Sequence, residues 1–542
     1  MHHLFGLREL ACDVPAQAET AACQSVKEHV EQDLTKDIWL WSTRWCVTPK
    51  PRSYGKRIAR PRRDERPYST KVVPSGIRVT SAEGGRMQSK LVGAVLCAGA
   101  VWVAYSRLRE PPSFKSSYTN APTKILIVGG GFGGLAAARE LARTLGGSEE
   151  AGVALLDRVN YTTFWPMVPS AISGNIEIRH AARSIRRITK LLGAEFFQAE
   201  VVEVDFEGRK VRSDIGSFPY DYLILAPGSR TAFFGASGAR ENAIDLKGLR
   251  DALRVRNIII DCFEEAERLR GELPEGLLTF VFVGGGPTGV EAAADSHDLI
   301  FNVLEGDYPN VDFGKVQIVL VNAGDQILKG VDPALVRAAT RRLSAKRIEV
   351  IYAAKAKEVR SDAVVLSDGR VIPTRTAVWA AGIEPSPLVK SLDVEKDQRG
   401  RILVDEFLRV KGRSGVYAVG DCTCIDYDGP PVPALAQAAE QEGKRAALNL
   451  AGEIMNEVLE PFSYRPLGQL VDLGEGSALV DILGTKASGF IGALVWKGVY
   501  LHELGYNLNQ VQVLADWTID LFTRPDTSKL FEDSELSTTG GG

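Results

Sequence analysis

Two glycine-rich segments contain the residues whose types and spacing best suit chemistry in this chain. Residues 129–134 and 284–289 each have the pattern Gly-x-Gly-x-x-Gly, after an apolar run typical of a strand and before a run typical of a helix. Glycine lets the backbone approach a pyrophosphate closely, and the free N–H groups and dipole of the following helix attract its charge. Two such segments predict that one polypeptide holds two dinucleotides at once, which suits hydride transfer from a nicotinamide to a flavin.

The first segment is followed by an acid at the expected distance. Asp157 comes directly after the predicted strand 153–156 and stands 23 residues after Gly134. In dinucleotide-binding units, an acid about 20 residues beyond the glycines binds the adenosine ribose. The sequence therefore predicts a first dinucleotide site. Its predicted residues are Gly129, Gly131, Phe132, Gly133, Gly134, Asp157 and Arg158.

The second segment lacks the corresponding acid. The predicted strand 316–321 is followed by Asn322, where an acid would bind the ribose 2′-hydroxyl and repel a 2′-phosphate. Because the neutral amide removes that repulsion, NADPH stays open as a substrate. No arginine stands beside Asn322 to pair with a phosphate, so the alternative is that the amide binds the ribose as a neutral donor and NADH is favoured. The predicted residues of this nicotinamide site are Gly284, Gly286, Thr288, Gly289 and Asn322.

Three other segments resemble parts of flavoproteins that bind two dinucleotides. Residues 414–421, Ser-Gly-Val-Tyr-Ala-Val-Gly-Asp, resemble the terminal flavin motif, in which the final carboxylate holds the ribityl chain. Residues 222–228 resemble the strand that crosses from the FAD region to the NAD region, and residues 378–382 resemble the return crossing. The resemblance therefore adds three cofactor-binding residues, Gly228, Gly382 and Asp421.

Residues 436–441, Ala-Gln-Ala-Ala-Glu-Gln, match the A-Q-x-A-x-Q motif of the type II NADH:quinone oxidoreductases, and the chain resembles this family over about residues 122–530. The resemblance implies that Ala436 contacts the flavin and that Gln437 and Gln441, four apart on one helical face, lie where the quinone binds. It also implies that Glu291 lines the passage between nicotinamide and quinone. The implied cofactors are FAD, NADH or NADPH as substrate and a membrane quinone as acceptor, and a homodimer is typical of the family.

Together these features predict an α/β fold with two Rossmann-like dinucleotide-binding domains, the FAD domain being split by an inserted NAD domain, and a C-terminal amphipathic helical membrane-binding region. The predicted boundaries are 1–86 for a disordered or mis-included extension, 87–121 for a short hydrophobic anchor and linker, 122–238 and 373–460 for the two parts of the FAD domain, 239–372 for the NAD(P)H domain, 461–530 for the membrane-binding region and 531–542 for a disordered tail.

The composition indicates a globular protein without nucleic-acid or metal partners. The 542-residue chain is 45% apolar and 25% charged, and its net charge of −3 offers no basic surface to nucleic acid. No Cys/His cluster has metal-ligand spacing. The seven cysteines are sparse and unpaired, which favours a reducing compartment over a disulfide framework.

Other electron acceptors remain as alternatives. Sulfide:quinone oxidoreductases share the scaffold but work through cysteines beside the flavin, and between Cys97 and Cys422 this chain has only Cys262, which we interpret as a core residue. The leading alternative is a soluble FAD-dependent reductase of a ferredoxin-like protein, which needs no membrane contact. A redox-sensing flavoprotein without turnover is a third alternative.

Quinones lie in lipid, so quinone reduction requires membrane contact. Residues 490–501 are largely apolar but too short to span a bilayer, and a second apolar helix is predicted around residues 511–522. Such helices are expected to lie in the interface of an inner or respiratory membrane. Proton pumping is not expected, because the sequence shows no multi-span membrane domain. The side chains expected at the headgroup boundary are Trp496, Lys497, Tyr500 and Trp517.

The N-terminal part contains a second apolar run. The fifteen residues 91–105 carry no charge and suit a short anchor, although the run is marginal for a span of about 20 residues. Met87 stands just before it and is a second candidate for the first residue of the chain.

Overall fold

The computed structural model describes residues 113–427, 429, 431–505, 507–519, 523 and 526–529. The predictions that lie outside these residues concern the extension 1–86, the start at Met87, the anchor 91–105 and the tail 531–542. The strands, in chain order, are β1 Thr123–Val128, β2 Ala151–Asp157, β3 Tyr161–Thr163, β4 Ala182–Ser184, β5 Glu195–Gln198, β6 Val201–Asp205, β7 Lys210–Ser213, β8 Gly216–Pro219, β9 Tyr222–Leu225, β10 Ser229–Thr231, β11 Ala243–Asp245, β12 Thr279–Val283, β13 Gln317–Val321, β14 Ile348–Ile351, β15 Ala356–Val359, β16 Ala363–Leu366, β17 Val371–Pro373, β18 Thr376–Trp379, β19 Ile383–Pro385, β20 Ile402–Val404, β21 Val416–Ala418, β22 Thr423–Ile425, β23 Gly468–Asp472, β24 Ala478–Ile482 and β25 Thr485–Ser488. The α-helices are α1 Phe132–Leu145, α2 Ser170–Ser173, α3 Ile185–Leu191, α4 Ala239–Asn242, α5 Leu249–Leu269, α6 Pro287–Asp298, α7 Pro333–Ala345, α8 Pro387–Ser391, α9 Ala436–Met455, α10 Gly489–Glu503 and α11 Asn507–Ile519.

The first sheet has five parallel strands in the order β21-β9-β1-β2-β5. Its central strand β1 is apolar and buried from Ile125 to Val128, as expected for a strand covered on both faces. β21 comes from a part of the chain far beyond β9, yet Val416 pairs with Leu223. The sheet is therefore assembled from two separate stretches of sequence.

The second sheet also has five parallel strands, in the order β11-β18-β12-β13-β14. One strand differs from the predicted boundaries, which ended the NAD(P)H segment at residue 372 and assigned 373–460 to the FAD domain. β18 is hydrogen-bonded between β11 and β12, so residues 376–379 lie within the second sheet. The reason is that the segment predicted as the return crossing, residues 378–382, begins within β18, and the chain leaves the second sheet only after Trp379.

A short antiparallel ribbon joins the two crossings. β10 follows β9, β19 follows β18, and Thr231 pairs with Ile383. The two sheets are therefore connected where the chain passes from one to the other in each direction.

Helices α1 and α9 pack closely beside the first sheet. A Cβ atom added at Gly443 in α9 would lie 2.2 Å from the carbonyl oxygen of Gly133 in α1. Only glycine permits this approach, so the two helix backbones are in direct contact.

The C-terminal part consists of the antiparallel sheet β23-β24-β25 followed by α10 and α11. A Cβ at Gly492 would lie 2.2 Å from the carbonyl oxygen of Ala478, so α10 packs directly on β24. The next turn then carries Trp496 into the core, where its ring centroid is 6.4 Å from that of Trp517. The prediction that these two tryptophans lie at a headgroup boundary is therefore wrong. Within the described ranges, no helix is both long and apolar enough to cross a membrane.

Candidate active site

The first glycine segment forms an open cradle between β1 and α1. Gly129 has φ +105°, and a Cβ there would lie 2.1 Å from the carbonyl oxygen of Ala226. A Cβ at Gly134 would lie 1.9 Å from the carbonyl oxygen of Gly129, so the turn and the helix are in contact. Gly131, by contrast, precedes α1 without a side-chain cap, and a Cβ there would meet nothing within 4 Å. The N-terminus of α1 therefore has both the free N–H groups and the space that a pyrophosphate needs.

The predicted ribose-binding acid lies beside this cradle. Asp157 Oδ2 accepts a hydrogen bond from Gly130 N at 2.6 Å, and Oδ1 accepts one from Val159 N at 3.0 Å. Burial raises the pKa of Asp157, while these two bonds and Arg158 act in the opposite direction. Phe132 begins α1, with its ring centroid 6.3 Å from that of Phe164. The structure thus brings Asp157 and Phe132 together with the glycines of the predicted first site.

The predicted flavin carboxylate reaches the same region from β21. Asp421 Oδ2 accepts a hydrogen bond from Ser229 Oγ at 2.6 Å, and Gly228, with φ +64°, stands next to that serine. A small open pocket lies here, lined by residues that include Gly420, Asp421, Ala438 and Glu442. The first turn of α9, through Ala438 and Ala439, therefore meets the residues after β21 at this pocket, whereas the predicted Ala436 is not among the lining residues.

Glu442 belongs to this site although the sequence did not point to it. Its carboxylate accepts hydrogen bonds from Gly420 N and, at 3.4 Å, from Thr423 Oγ1. The residue is 3% exposed, and burial raises its pKa to about 8. Glu442 thus fixes the backbone turn that presents Asp421. A glutamate one residue beyond the glutamine motif was the available signal.

The second glycine segment repeats the geometry of the first. Gly284 has φ +124°, and a Cβ there would lie 2.5 Å from the carbonyl oxygen of Ala380. A Cβ at Gly289 would lie 1.9 Å from the carbonyl oxygen of Gly284, whereas one at Gly286 would meet nothing within 4 Å. Thr288 lies in the first turn of α6, and Gly382, with φ +147°, is covered by the ring of Phe234.

Asn322 is buried, and its amide hydrogens are used within its own loop. Nδ2 donates to the carbonyl oxygens of Gly324 at 3.0 Å and Gln326 at 2.9 Å. Its Oδ1 lies over Gly285, 2.5 Å from the place of an added Cβ. In this arrangement both N–H groups that could bind a ribose oxygen already have acceptors.

The two motif glutamines are bound to a single backbone segment. Gln437 donates to Gly468 O at 2.9 Å and accepts from Leu467 N at 3.0 Å. Gln441 does the same with Arg465, at 2.9 Å and 3.0 Å. Each amide nitrogen has a second hydrogen beyond the one donated to this segment.

Glu291 is buried in a group of acids. Its Oε1 accepts from Asp472 N at 3.1 Å, and burial raises its pKa well above the usual range. Asp295, one turn further along α6, is fully buried, and burial raises its pKa as well, despite a hydrogen bond from Ser173 Oγ at 2.8 Å. Asp295 and Asp472 were missed from the sequence, because their proximity arises only when β23 packs against α6.

Two of the three cysteines in the described ranges, Cys262 and Cys422, do not favour thiol chemistry. Cys262 is buried, as predicted, and burial raises its pKa to about 11. Cys422 is also buried, and its pKa is raised for the same reason. Since the thiolate is the reactive form, these two side chains are poor nucleophiles.

Comparison with known proteins agrees with this geometry. Residues 123–443 match the family model described as pyridine nucleotide-disulphide oxidoreductase. A Dictyostelium discoideum protein named as a probable NADH dehydrogenase is 34% identical over 420 residues, which cover 75% of this chain and 91% of that protein. The type II NADH:quinone oxidoreductase Ndh of Mycobacterium tuberculosis is 31% identical over 415 residues, covering 73% and 87%.

A solved structure has the same fold. NDH2 from Plasmodium falciparum, in complex with NADH, superposes with a TM-score of 0.67 at 20% identity, covering 75% of this chain and 100% of that one. Two open phosphate cradles on parallel sheets define a flavin- and nicotinamide-dependent oxidoreductase. The chain belongs to the pyridine nucleotide-disulphide oxidoreductase family and, within it, to the type II NADH:quinone oxidoreductases.

Proposed function

We propose that this protein takes a hydride from NADH and passes two electrons to a membrane quinone, with the balance NADH + H⁺ + quinone → NAD⁺ + quinol. The observation that carries the proposal is the pair of cradles at Gly131 and Gly286, each with room for a phosphate where a Cβ would meet nothing. The class of acceptor, a quinone, follows from membership of the type II NADH:quinone oxidoreductases.

In this proposal, the residues of the chain bind and orient the two dinucleotides. The first cradle with Asp157 and Asp421 is assigned to FAD, which when bound supplies a ring that accepts a hydride and releases electrons. The second cradle is assigned to the nicotinamide nucleotide. The first sheet and α9 then form the proposed FAD domain, and the second sheet forms the inserted NAD(P)H domain.

Gln437 and Gln441 are proposed to line the quinone site. Their second amide hydrogens can donate to a quinone carbonyl while their other amide atoms hold residues 465–468 in place. Glu291 is proposed to lie along the passage between the two substrates. Since burial raises its pKa, its carboxyl keeps a proton to higher pH than an exposed glutamate does.

Peripheral membrane contact is proposed through the exposed apolar side chains of α10. Phe490, Ile491 and Leu494 are 69%, 66% and 52% exposed, and as residues i, i+1 and i+4 they share one side of the helix. Leu483, in the adjacent β24–β25 turn, is 82% exposed. An apolar surface of this kind suits insertion into a lipid interface. The homodimer stays a prediction, to be checked by analytical ultracentrifugation.

The activity is tested by mixing purified protein with NADH, with and without a short-chain quinone. We expect a yellow protein whose flavin absorbance bleaches with NADH and whose steady NADH oxidation requires the quinone. A colourless protein, or a flavin that stays oxidised with NADH, would contradict the proposal. Reduction of flavin without quinone-dependent turnover would instead favour a protein acceptor or a redox sensor.

The membrane contact is tested separately by vesicle flotation. The variant F490S/I491S/L494S should lose co-flotation and keep activity with a water-soluble quinone. The matched control V202S/I215S removes two side chains that are 59% and 57% exposed around β7 and should float like the unaltered protein. Equal flotation of both variants would rule out α10 as the contact.

A further inference from the structure

Phe234 is an exposed aromatic residue at the crossing between the two sheets, and the functional assignment leaves it unused. It lies three residues after β10 and is 74% exposed, although phenylalanine is usually buried. Its ring covers Gly382, where a Cβ would lie 2.8 Å from the ring atom Cζ. The ring therefore contacts the backbone of the return crossing and exposes most of its remaining surface.

The backbone of Phe234 has a conformation that is unfavourable for a bulky residue. Phe234 and Gly235 are the central residues of a turn closed by a hydrogen bond from Ala236 N to Phe233 O at 2.9 Å. Both have positive φ, +49° and +74°, as in type I′ turns, which prefer asparagine or glycine. Strained positions of this kind cluster at ligand sites. Placing the ring here therefore has an energetic cost that contact with a ligand would explain.

Neighbouring residues hold this turn in place. Ala232 N donates to Gly382 O at 3.0 Å, and Trp379 Nε1 donates to Ala232 O at 2.9 Å. The ring centroids of Phe233 and Trp379 are 5.5 Å apart. The backbone that carries Phe234 is thus fixed against the end of β18 and the return crossing.

The ring lies at the edge of the second sheet where a nucleotide is expected. Val283 and Trp379 are paired at the carboxyl ends of the neighbouring strands β12 and β18, and ligands of open parallel sheets bind outside these ends. After Trp379 comes Ala380, whose carbonyl oxygen lies 2.5 Å from the place of a Cβ at Gly284 in the second cradle. Gly382 follows two residues later, at most about 7 Å from Ala380. The ring over Gly382 and the second cradle therefore border the same edge of the sheet.

We propose that Phe234 binds the nicotinamide end of the dinucleotide held at the second cradle, with its exposed ring stacked on the nicotinamide ring. The inference rests on the proposed function, which assigns the second cradle to NADH. Gly382 precedes β19, which pairs with β10 where the chain passes between the two sheets. The nicotinamide is the end of the dinucleotide that must reach the flavin across this junction. Stacked aromatic rings attract each other, and the positive charge of the oxidised nicotinamide adds a cation–π attraction.

The test is NAD⁺ binding to the flavin-loaded protein by isothermal titration calorimetry, with ADP-ribose as the probe that lacks the nicotinamide. F234N removes the ring, and asparagine tolerates left-handed backbone, so the variant should fold and keep its flavin. We expect its Kd for NAD⁺ to rise about three- to tenfold and its Kd for ADP-ribose to stay constant. F234Y should bind normally, because it keeps the ring. The control R270N changes an exposed residue of similar φ, +47°, just after α5 and should also bind NAD⁺ normally.

A second variant separates ring stacking from apolar packing. F234L keeps an apolar side chain on the same backbone but has no aromatic face. If the ring stacks on the nicotinamide, F234L loses affinity for NAD⁺ as F234N does; if Phe234 only packs on Gly382, F234L binds like the unaltered protein. The proposal is overturned if F234L or F234N binds NAD⁺ with the original affinity, or if ADP-ribose binding weakens equally. Failure of the unaltered protein to bind NAD⁺ would instead contradict the assignment of the second cradle, so the two failures are distinguishable.

Discussion

Gln437 and Glu291 bind opposite ends of the same strand. Gln437 Nε2 donates to the carbonyl oxygen of Gly468 at the start of β23, and Glu291 Oε1 accepts from Asp472 N at its end. Gln437 belongs to the helix that packs against the first cradle, and Glu291 belongs to the helix that begins at the second. A single five-residue strand is therefore held by side chains from the two helices that adjoin the proposed dinucleotide sites.

Replacing Gln437 with alanine should affect the quinone side alone. The change removes two hydrogen bonds to residues 467 and 468, each with a net value of about 1 kcal/mol. We expect the KM for quinone to rise several-fold while the KM for NADH stays constant, measured by steady-state kinetics with each substrate varied. Q469A, at an exposed position of the same strand, is the control. A rise in the KM for NADH alone would contradict the assignment.

Glu442 should make the protein less stable as pH rises. Burial raises its pKa from the reference value of 4.5 to about 8, so between these values the folded state holds a proton that the unfolded state has released. Stability from this group is therefore full below pH 4.5 and is lost as pH rises to about 8, by about 5 kcal/mol. Thermal unfolding at several pH values should show a flatter profile for E442Q, which can keep the acceptor for Gly420 N. The exposed E457Q is the control, and an unaltered slope in E442Q would refute the prediction.

Alanine should impair NADH binding at Gly286 and protein stability at Gly289, the two glycines of the second cradle. G286A adds a methyl group where no atom lies within 4 Å, so the protein should fold, keep its flavin and show a KM for NADH at least about tenfold higher because the phosphate space is filled. G289A places a methyl 1.9 Å from the Gly284 carbonyl oxygen and should reduce stability by about 1–3 kcal/mol or more. Flavin content, Tm and kinetics distinguish them. A G286A protein with normal NADH kinetics would place the nucleotide elsewhere.

Replacing Asn322 with aspartate should lower activity with both nucleotides and should not produce a strict preference for NADH. Aspartate cannot donate to the carbonyl oxygens of Gly324 and Gln326, and leaving these contacts repulsive costs about 1–3 kcal/mol. We expect kcat/KM to fall for both NADH and NADPH in N322D, measured side by side. A selective loss of NADPH activity with full NADH activity would mean that the side chain faces the ribose directly.

Local sequence signals predicted the elements that surround the cradles. The apolar run before residue 129 is β1, the helix after the glycines begins at Phe132, and the helix of the glutamine motif begins at Ala436. Strand, turn and helix preferences are local, so a single stretch of sequence contains enough information to predict them.

Contacts between distant segments could not be predicted in the same way. The contact of Glu291 with Asp472 spans 181 residues, and that of Gln437 with Gly468 depends on the course of the chain after α9. The tryptophans of α10 and α11 show the same limit, because an apolar helix does not reveal which side faces protein. Gly492 decides this for α10 by its close approach to β24.

The backbone contact between Gly133 and Gly443 has a mechanical consequence. With no side chain between the two backbones, a displacement of α9 toward α1 meets the backbone of α1 directly. We therefore expect that a compound bound beside the glutamines of α9, if it pushes this helix toward α1, also shifts the N-terminus of α1, where the proposed pyrophosphate cradle lies. Inhibitors that compete with quinone should consequently speed the release of the flavin. The released flavin would be detected by its fluorescence after the protein is removed by filtration.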